Sequence, residues 1–479
     1  MAEVVTRGGT YEILKKKNAI TGKMENWKLG EGGQGKVYMV QRKSDGKQFA
    51  LKVYHQITPR KYNENLEKLV NMVPPHPAFV WPLELIPPQK NGQIGYINEL
   101  YDNKKLKSFK KVAISAKERF SSTEAMLNSL IELVTAFEAL HAKGLCFQDI
   151  NEGAIVFDVE KGGVRICDCE NVVPNNEPVP IGYSKNGHEL YMQGFPKYMA
   201  PEVEIKAIHP DKYTDRYSLA IMMFMVLTHC HPLEGKKRFT YNPDKIVDAN
   251  VEKDIYGKNP IFIFDDNNKT NPPDPQMDQG AIMAWPTIPS FVQDLFKRTF
   301  TTGVPVNGQY DDTKKRERQK RPNEKEWRLA FQKWMDLLVE CPDPNCQIGY
   351  CASVDANKNV LASCPVCKKK NNVKYPVMDV YKQKVLKRTI ILTPGKVIPK
   401  SALSDSTSLE PAMVVLKAKK PGVHGVRNYT TQQWRCSCGN VVDMIIGNKD
   451  IVCSSLHTDL LLGSSASISS NVYICSFFT

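Results

Sequence analysis

The chain has 479 residues, 42% apolar and 24% charged, which is enough apolar content for packed cores and excludes wholesale disorder. Its net charge of +14 suits an acidic partner. Met1 to Thr10 lack a secretory core and cleavage site, and the apolar run through Ala220 to Leu227 falls far short of the ~20 residues of a membrane span, so a cytoplasmic protein without a membrane partner is expected. Of thirteen cysteines, four (Cys146, Cys167, Cys169, Cys230) lie in the first 340 residues and nine in the last 139, a skew that favours metal ligation in the tail over disulfide stapling.

Residues 25–105 alternate short apolar strands with turns, interrupted by a helical stretch around Asn63 to Val73. Gly30-Glu31-Gly32-Gly33-Gln34-Gly35-Lys36-Val37 fits G-x-G-x-x-G-x-V, in which glycines let backbone N–H groups approach phosphate oxygens. Fifteen residues past Val37, Phe49-Ala50-Leu51-Lys52 puts a lysine on the next strand. Helical spacing covers Thr123 to His141, and two short strands follow at Ala154 to Phe157 and Val164 to Cys167. Tyr217 to Thr228, apolar almost all round, predicts a helix buried in a large domain. Residues 301–320 read as a loop. The basic run Lys314 to Arg321 lacks the interleaved aromatics that stack bases, so nucleic acid is not the expected partner. Trp327 to Val339 closes this part as an amphipathic helix.

The order Gly-rich loop, Ala-Leu-Lys52, Gln148-Asp149-Ile-Asn151-Glu-Gly-Ala154, Asp168-Cys-Glu170, Met-Ala-Pro-Glu202 and Asp215-Arg-Tyr-Ser-Leu-Ala resembles eukaryotic-type Ser/Thr protein kinases over residues 25–340. The resemblance implies an α+β, bilobal fold with ATP between a small β-rich lobe and a larger helical one. On it, Gly30, Gly32, Gly33 and Gly35 cradle phosphates, and Val37, Ala50 and Val156 sandwich adenine. Glu99 and Tyr101 belong to the hinge, with Asn98 as gatekeeper. Lys52 pairs with the α- and β-phosphates and with Glu67 of the helix, Glu64 being the fallback. Asp149 orients the substrate hydroxyl and Asp168 holds Mg²⁺. Glu202 is expected to pair with Arg321, and a protein is the expected substrate.

Six positions depart from the family pattern. Gln148 replaces the arginine before the catalytic aspartate and Phe147 the preceding histidine, so loop phosphorylation is not the expected on-switch. Asn151 stands for the catalytic-loop lysine, and Phe195 for the activation-segment threonine. Ala154 occupies the second-Mg asparagine position and offers no oxygen, while Glu170 is a substitute carboxylate in place of glycine. The expectation is an ATP/Mg-dependent kinase weakened or inactivated at Ala154; the alternative is a nucleotide-binding pseudokinase scaffold acting through its tail.

Cys341-Pro-Asp-Pro-Asn-Cys346 and Cys364-Pro-Val-Cys367 form two knuckle-like pairs, the donor set of a structural zinc ribbon, with Cys351 as a fifth candidate. Cys436, Cys438, Cys453 and Cys475 are irregularly spaced and read as core residues of a β domain. That domain faintly resembles forkhead-associated β-sandwiches. The whole arrangement is similar to kinases of tellurite-resistance clusters encoded beside a von Willebrand A protein and a phosphatase, which implies a protein partner docking on the tail. The expected divisions are an N-terminal extension (1–24), small lobe (25–102), large lobe (103–340), zinc ribbon (341–372) and β-rich domain (373–479).

Overall fold

The computed structural model describes residues 3–88, 93–102, 104–192, 194–241, 248–304, 315–382, 385–404, 406–416, 424–430, 434–438, 441–446, 451–454, 458–462 and 473–478, with side chains only to residue 430. The chain forms two compact units: residues 1–121, 132–282 and 294–327 make one, and 122–131, 283–293 and 328–479 the other.

The first unit opens with strands β1 (Glu3–Thr6), β2 (Gly9–Ile13), β3 (Lys15–Lys17), β4 (Met24–Asn26), β5 (Lys28–Glu31), β6 (Gly35–Arg42), β7 (Gln48–Tyr54), β8 (Pro82–Ile86) and β9 (Gly95–Glu99), with helix α1 (Arg60–Val70) between β7 and β8. Apart from the separate β3–β4 hairpin they form one sheet in the order β1-β2-β6-β7-β9-β8, with β5 paired to β6. Residues 3–13, read from the sequence as part of an extension, thus add two strands to this sheet: Tyr11 pairs with Arg42 and Ile13 with Val40. Their apolar side chains explain this, because Val4, Tyr11 and Ile13 are buried with Val40, Phe49, Leu51, Ile86 and Ile97 in one core.

The period of two in a strand then decides where the lysine goes. Phe49 and Leu51 face that core, so Ala50, Lys52 and Tyr54 face the other way. In register, Val37 lies opposite Lys52 and Tyr96 lies opposite it on the other side. Tyr54 and Tyr96 pack with Tyr62 and Leu66 of α1 in a second core.

Below the sheet the unit is mostly helical. The helix Lys212–Thr228 is buried over nearly its whole length and opens with a capping box, Asp211 accepting from the N–H of Tyr213 and Thr214. Glu202 and Arg321, both buried, form a bidentate pair at 2.7 and 2.9 Å. Arg321 also donates to the carbonyls of Gly303 and Tyr213 and lies 4.8 Å from the centre of the Tyr217 ring. Residues 305–314 lie outside the described residues, and Lys315–Arg318 form a helical turn within the stretch read as a loop.

In the second unit, the hairpin of Leu338–Glu340 with Gly349–Cys351 carries Cys341 and Cys346 between its strands, and Cys364 and Cys367 lie between the bridged residues Ser363 and Lys370. Beyond them lie two antiparallel sheets of six and four strands. Met378, Val380 and Ile390 of one sheet share a core with Ile398, Met413, Val415 and Val426 of the other, which makes this a β-sandwich. The side chains of Cys436, Cys438, Cys453 and Cys475 lie outside the described residues. No described helix is long and apolar enough to cross a membrane.

Removing one partner of the Glu202–Arg321 pair strands a buried charge. Arg321→Ala is expected to destabilise the first unit by ~3–5 kcal/mol in urea unfolding followed by tryptophan fluorescence; a loss within experimental scatter would contradict the role given to this pair.

Candidate active site

Three segments meet where β7 faces the helical part of the first unit. The first is the loop Phe147-Gln148-Asp149. Asp215 accepts from the backbone N–H of Phe147 at 2.6 Å and of Gln148 at 3.1 Å, which fixes the loop from beneath. Gln148 stands in the left-handed region, φ 70°, and Phe147 is buried against Phe79 and Phe137. Asn151 turns back and donates to Asp149 Oδ1 at 2.9 Å. Burial raises the Asp149 acid, repulsion from Glu170 adds to this, and the Asn151 hydrogen bond and the Lys52 charge oppose it.

The second segment is Asp168-Cys169-Glu170, which follows the strand Val164–Ile166. Asp168 is also left-handed, φ 58°. Its carboxylate, 42% exposed, lies 3.5 Å from Lys52 Nζ. Burial of its surroundings and repulsion from Glu170 and Asp149 push Asp168 up to about 6, while Lys52 pulls the other way. Lys52, the third contribution, is 11% exposed and in direct contact with the fully buried Glu170. Burial opposes the lysine's charge, but the two carboxylates outweigh it and raise its pKa.

The Gly-rich loop joins this cluster at its edge, where Gln34 donates to Asn171 Oδ1 at 3.2 Å. A Cβ on Gly35 would stand 2.4 Å from the Val53 carbonyl, so the protein's own packing demands that glycine. At Gly30, Gly32 and Gly33 a Cβ would meet no protein atom within 4 Å. Three small residues are therefore kept where the protein itself would admit larger ones, which fits a loop whose backbone must come close to something else. Ala50 and Val37 share the Lys52 face, and Val156 is buried in the strand Ile155–Asp158. Tyr101, two residues past the end of β9, has its hydroxyl beside the Cys167 thiol.

Residues 24–299, more than half of the chain, match the family described as "protein kinase domain". The chain belongs to the protein kinase family. It is 27% identical over 218 residues to Protein kinase 3 of Dictyostelium discoideum, a match covering 44% of this chain and 23% of that protein. To human ribosomal protein S6 kinase alpha-3 it is 28% identical over 221 residues, or 44% and 27% of the two chains. The human alpha-2 kinase gives 27% over 216 residues with the same coverage. The chain thus spans about a quarter of the length of these curated relatives.

Measured against the family pattern, one sequence expectation is corrected. Glu67 and its fallback Glu64 do not reach Lys52; both are exposed and line a groove with Leu83, Leu85 and Ile86. The buried residues of α1 are Tyr62, Asn65, Leu66 and Leu69, so the helical phase turns both acids outward. Lys52 takes Glu170 instead, holding one oxygen of the fully buried carboxylate that the sequence offered as a magnesium ligand. At position 154 the buried alanine has no oxygen except its carbonyl, which already accepts from the Cys167 N–H at 2.7 Å. Of Asp168 and Glu170, the two residues named from the sequence as magnesium ligands, only Asp168 has a partly open carboxylate. Asn151 is a contact the sequence could only mark as a departure: its amide reaches the aspartate that the usual lysine would reach.

The tail holds a separate cluster. The sulfurs of Cys341, Cys346, Cys364 and Cys367 all lie within 4.8 Å of one another, with Cys341 to Cys367 at 3.5 Å and Cys346 to Cys364 at 3.7 Å. Tetrahedral thiolates at ~2.3 Å from zinc have sulfur–sulfur edges of roughly 3.8 Å, so the set fits the ion. Gln347 and Lys368, each directly after the second cysteine of its pair, are left-handed, φ 46° and 62°. These turns aim backbone N–H groups at sulfur: burial raises Cys364, yet the N–H groups of Cys367 and Val366 hold it at about 7. Cys351 is outside the cluster, and burial pushes it up to about 12.

His141 carries a pH dependence. It hydrogen-bonds Asp215 at 3.0 Å and Glu324 at 2.9 Å, and Arg216 also holds Glu324, at 2.7 Å. Burial disfavours the imidazolium, but these two carboxylates raise it from 6.5 to about 9. A raised value stabilises fully below the unfolded pKa and is lost as pH rises through the folded one. The melting temperature should therefore fall from pH 6.5 to above 9 more steeply in the parent than in His141→Gln; parallel profiles would contradict the assignment.

Proposed function

We propose that this chain is an ATP- and magnesium-dependent Ser/Thr protein kinase whose phosphoryl transfer is weakened by Ala154. The observation that carries the reading is the proximity of Lys52, Asp149 and Asp168 beside a Gly-rich loop in which Gly30, Gly32 and Gly33 have room for a side chain and carry none. Lys52 binds the α- and β-phosphates, the loop's N–H groups cover them, and Asp168 holds the ion. Asp149, oriented by Asn151, positions the substrate hydroxyl and receives its proton. Magnesium, when bound, supplies the charge that neutralises the phosphate oxygens. Val37, Ala50, Val156 and the hinge at Glu99 and Tyr101 hold adenine. The buried Glu202–Arg321 brace supports a protein substrate, since it anchors the segment that would present one.

A second reading has a specific observation behind it. With neither an amide at Ala154 nor a guanidinium at Gln148, the same cleft suits a pseudokinase that binds nucleotide to fix a shape. An ATP analogue with Mg²⁺ should raise the melting temperature of the parent and not of Lys52→Met. Ala154→Asn should raise autophosphorylation by ~10-fold or more, a gain worth about 1.4 kcal/mol of transition-state stabilisation. No thermal shift would refute the nucleotide site, and no gain at residue 154 would favour the scaffold.

In the tail, Cys341, Cys346, Cys364 and Cys367 would hold one structural zinc, worth on the order of 10 kcal/mol of local folding energy. The ribbon and the forkhead-associated-like sandwich would dock a protein partner, as expected from the similarity to kinases of tellurite-resistance clusters. Metal analysis should give one zinc per chain, and chelation should remove hydrogen-exchange protection from residues 341–371. Protection that survives chelation would refute the zinc site.

A further inference from the structure

A kinase lysine needs a carboxylate to hold its ammonium toward the phosphates, and the family draws that acid from the small-lobe helix. In this chain α1 has only two acids, Glu64 and Glu67. Glu64 is engaged by Arg60 at 2.7 Å on the surface, and Glu67 is exposed beside it. The side of α1 that faces the cleft presents Tyr62, Asn65 and Leu66 instead.

We propose that Glu170 is the positioning residue for Lys52, so that the acid has moved from the helix to the segment carrying Asp168. The proposal rests on the nucleotide-site reading above. Glu170 is fully buried, touches Lys52 directly, and lies in a one-turn 3₁₀ helix, Cys169–Asn171, whose every residue is buried. Three ties fix that turn: Cys169 Sγ donates to the Ile166 carbonyl at 3.3 Å, Gln34 holds Asn171, and Asn65 Nδ2 of α1 donates to the Val172 carbonyl at 2.8 Å. The phenols of Tyr54, Tyr62 and Tyr96 close the space around the carboxylate, and the Tyr54 and Tyr62 hydroxyls lie 3.0 Å apart. The second oxygen, Oε2, is buried without a hydrogen bond. A glutamate enclosed in this way cannot relax into solvent, so the lysine it touches cannot either.

The consequence is a change in what controls the site. The helix is joined to the Asp168 segment by an uncharged amide and not by an ion pair with Lys52. Movement of α1 would then leave the lysine in place, whereas movement of residues 168–171 would displace the ion-binding acid and the lysine's partner together.

The test is the affinity of the full chain for a fluorescent ATP analogue, with and without Mg²⁺, in Lys52→Met, Glu170→Gln, Glu170→Asp, the Lys52→Met/Glu170→Gln double variant and Glu64→Gln/Glu67→Gln. We expect Glu170→Gln to weaken binding ~10-fold under both conditions, about 1.4 kcal/mol, and to add nothing on top of Lys52→Met. Glu170→Asp should recover part of the loss, and the helix double variant should stay within about twofold of the parent. Unchanged binding in Glu170→Gln while Lys52→Met abolishes it overturns the proposal and leaves the nucleotide site standing. Helix variants as damaging as Lys52→Met overturn it as well. A loss confined to the Mg²⁺ condition would make Glu170 a metal ligand, and tighter binding would make it a latch that blocks the site; either also overturns it. If Lys52→Met itself has no effect, it is the nucleotide-site reading that fails. Should Glu170→Gln not fold, the comparison of Glu170→Asp with Lys52→Met decides between the same outcomes.

Discussion

The charge on Lys52 governs the arrangement of this cleft. An ammonium with so little solvent around it keeps its proton only if carboxylates stand against it, and here Asp168 and Glu170 do so from the other side of the cleft. The contact does two things at once. It ties the β-sheet to the segment following the strand Val164–Ile166, and it sets the lysine and Asp168 side by side. Burial, and after it the crowding of these carboxylates, raises the Asp168 and Asp149 acids, which Lys52 partly relieves. A site with this balance favours a ligand that brings negative phosphates and a cation together, because that ligand meets both kinds of charge.

The loop bearing Asp149 depends on a second buried network. Asp215 takes two backbone N–H groups and the His141 imidazole, while Glu324 takes the other side of that imidazole and Arg216. Hydrogen bonds to charged groups contribute ~1.5–3 kcal/mol each when both partners are present. Their sum holds Gln148 in a left-handed conformation that a free chain would rarely adopt. Rigidity beneath Asp149 is thus supplied by the buried groups His141, Asp215 and Glu324.

Much of this was legible in the sequence, for reasons that differ by element. The spacing from the Gly-rich loop put Lys52 on the next strand, and motif order named the Glu202–Arg321 pair that the structure forms and the segments bearing Asp149 and Asp168 that it brings near Lys52. The cysteine pairs were readable because a knuckle is a local turn. Glu67 was not readable. Its distance along the chain was right, but a helix turns ~100° per residue, and only the packing of Tyr62, Leu66 and Leu69 sets which way that turn points. Glu170 looked like a spare metal ligand because sequence gives no measure of burial. Strands β1 and β2 were missed for a related reason: a short polar-flanked segment has no strand signal until a neighbouring edge pairs with it.

The most direct measurement is a crystal structure of the full chain with a non-hydrolysable ATP analogue and magnesium. The account predicts the triphosphate under Gly30 to Gly35, Lys52 Nζ within hydrogen-bond distance of the α- and β-phosphate oxygens, and the ion on Asp168. A nucleotide lodged elsewhere, or phosphates out of reach of Lys52 and Asp168, would contradict it.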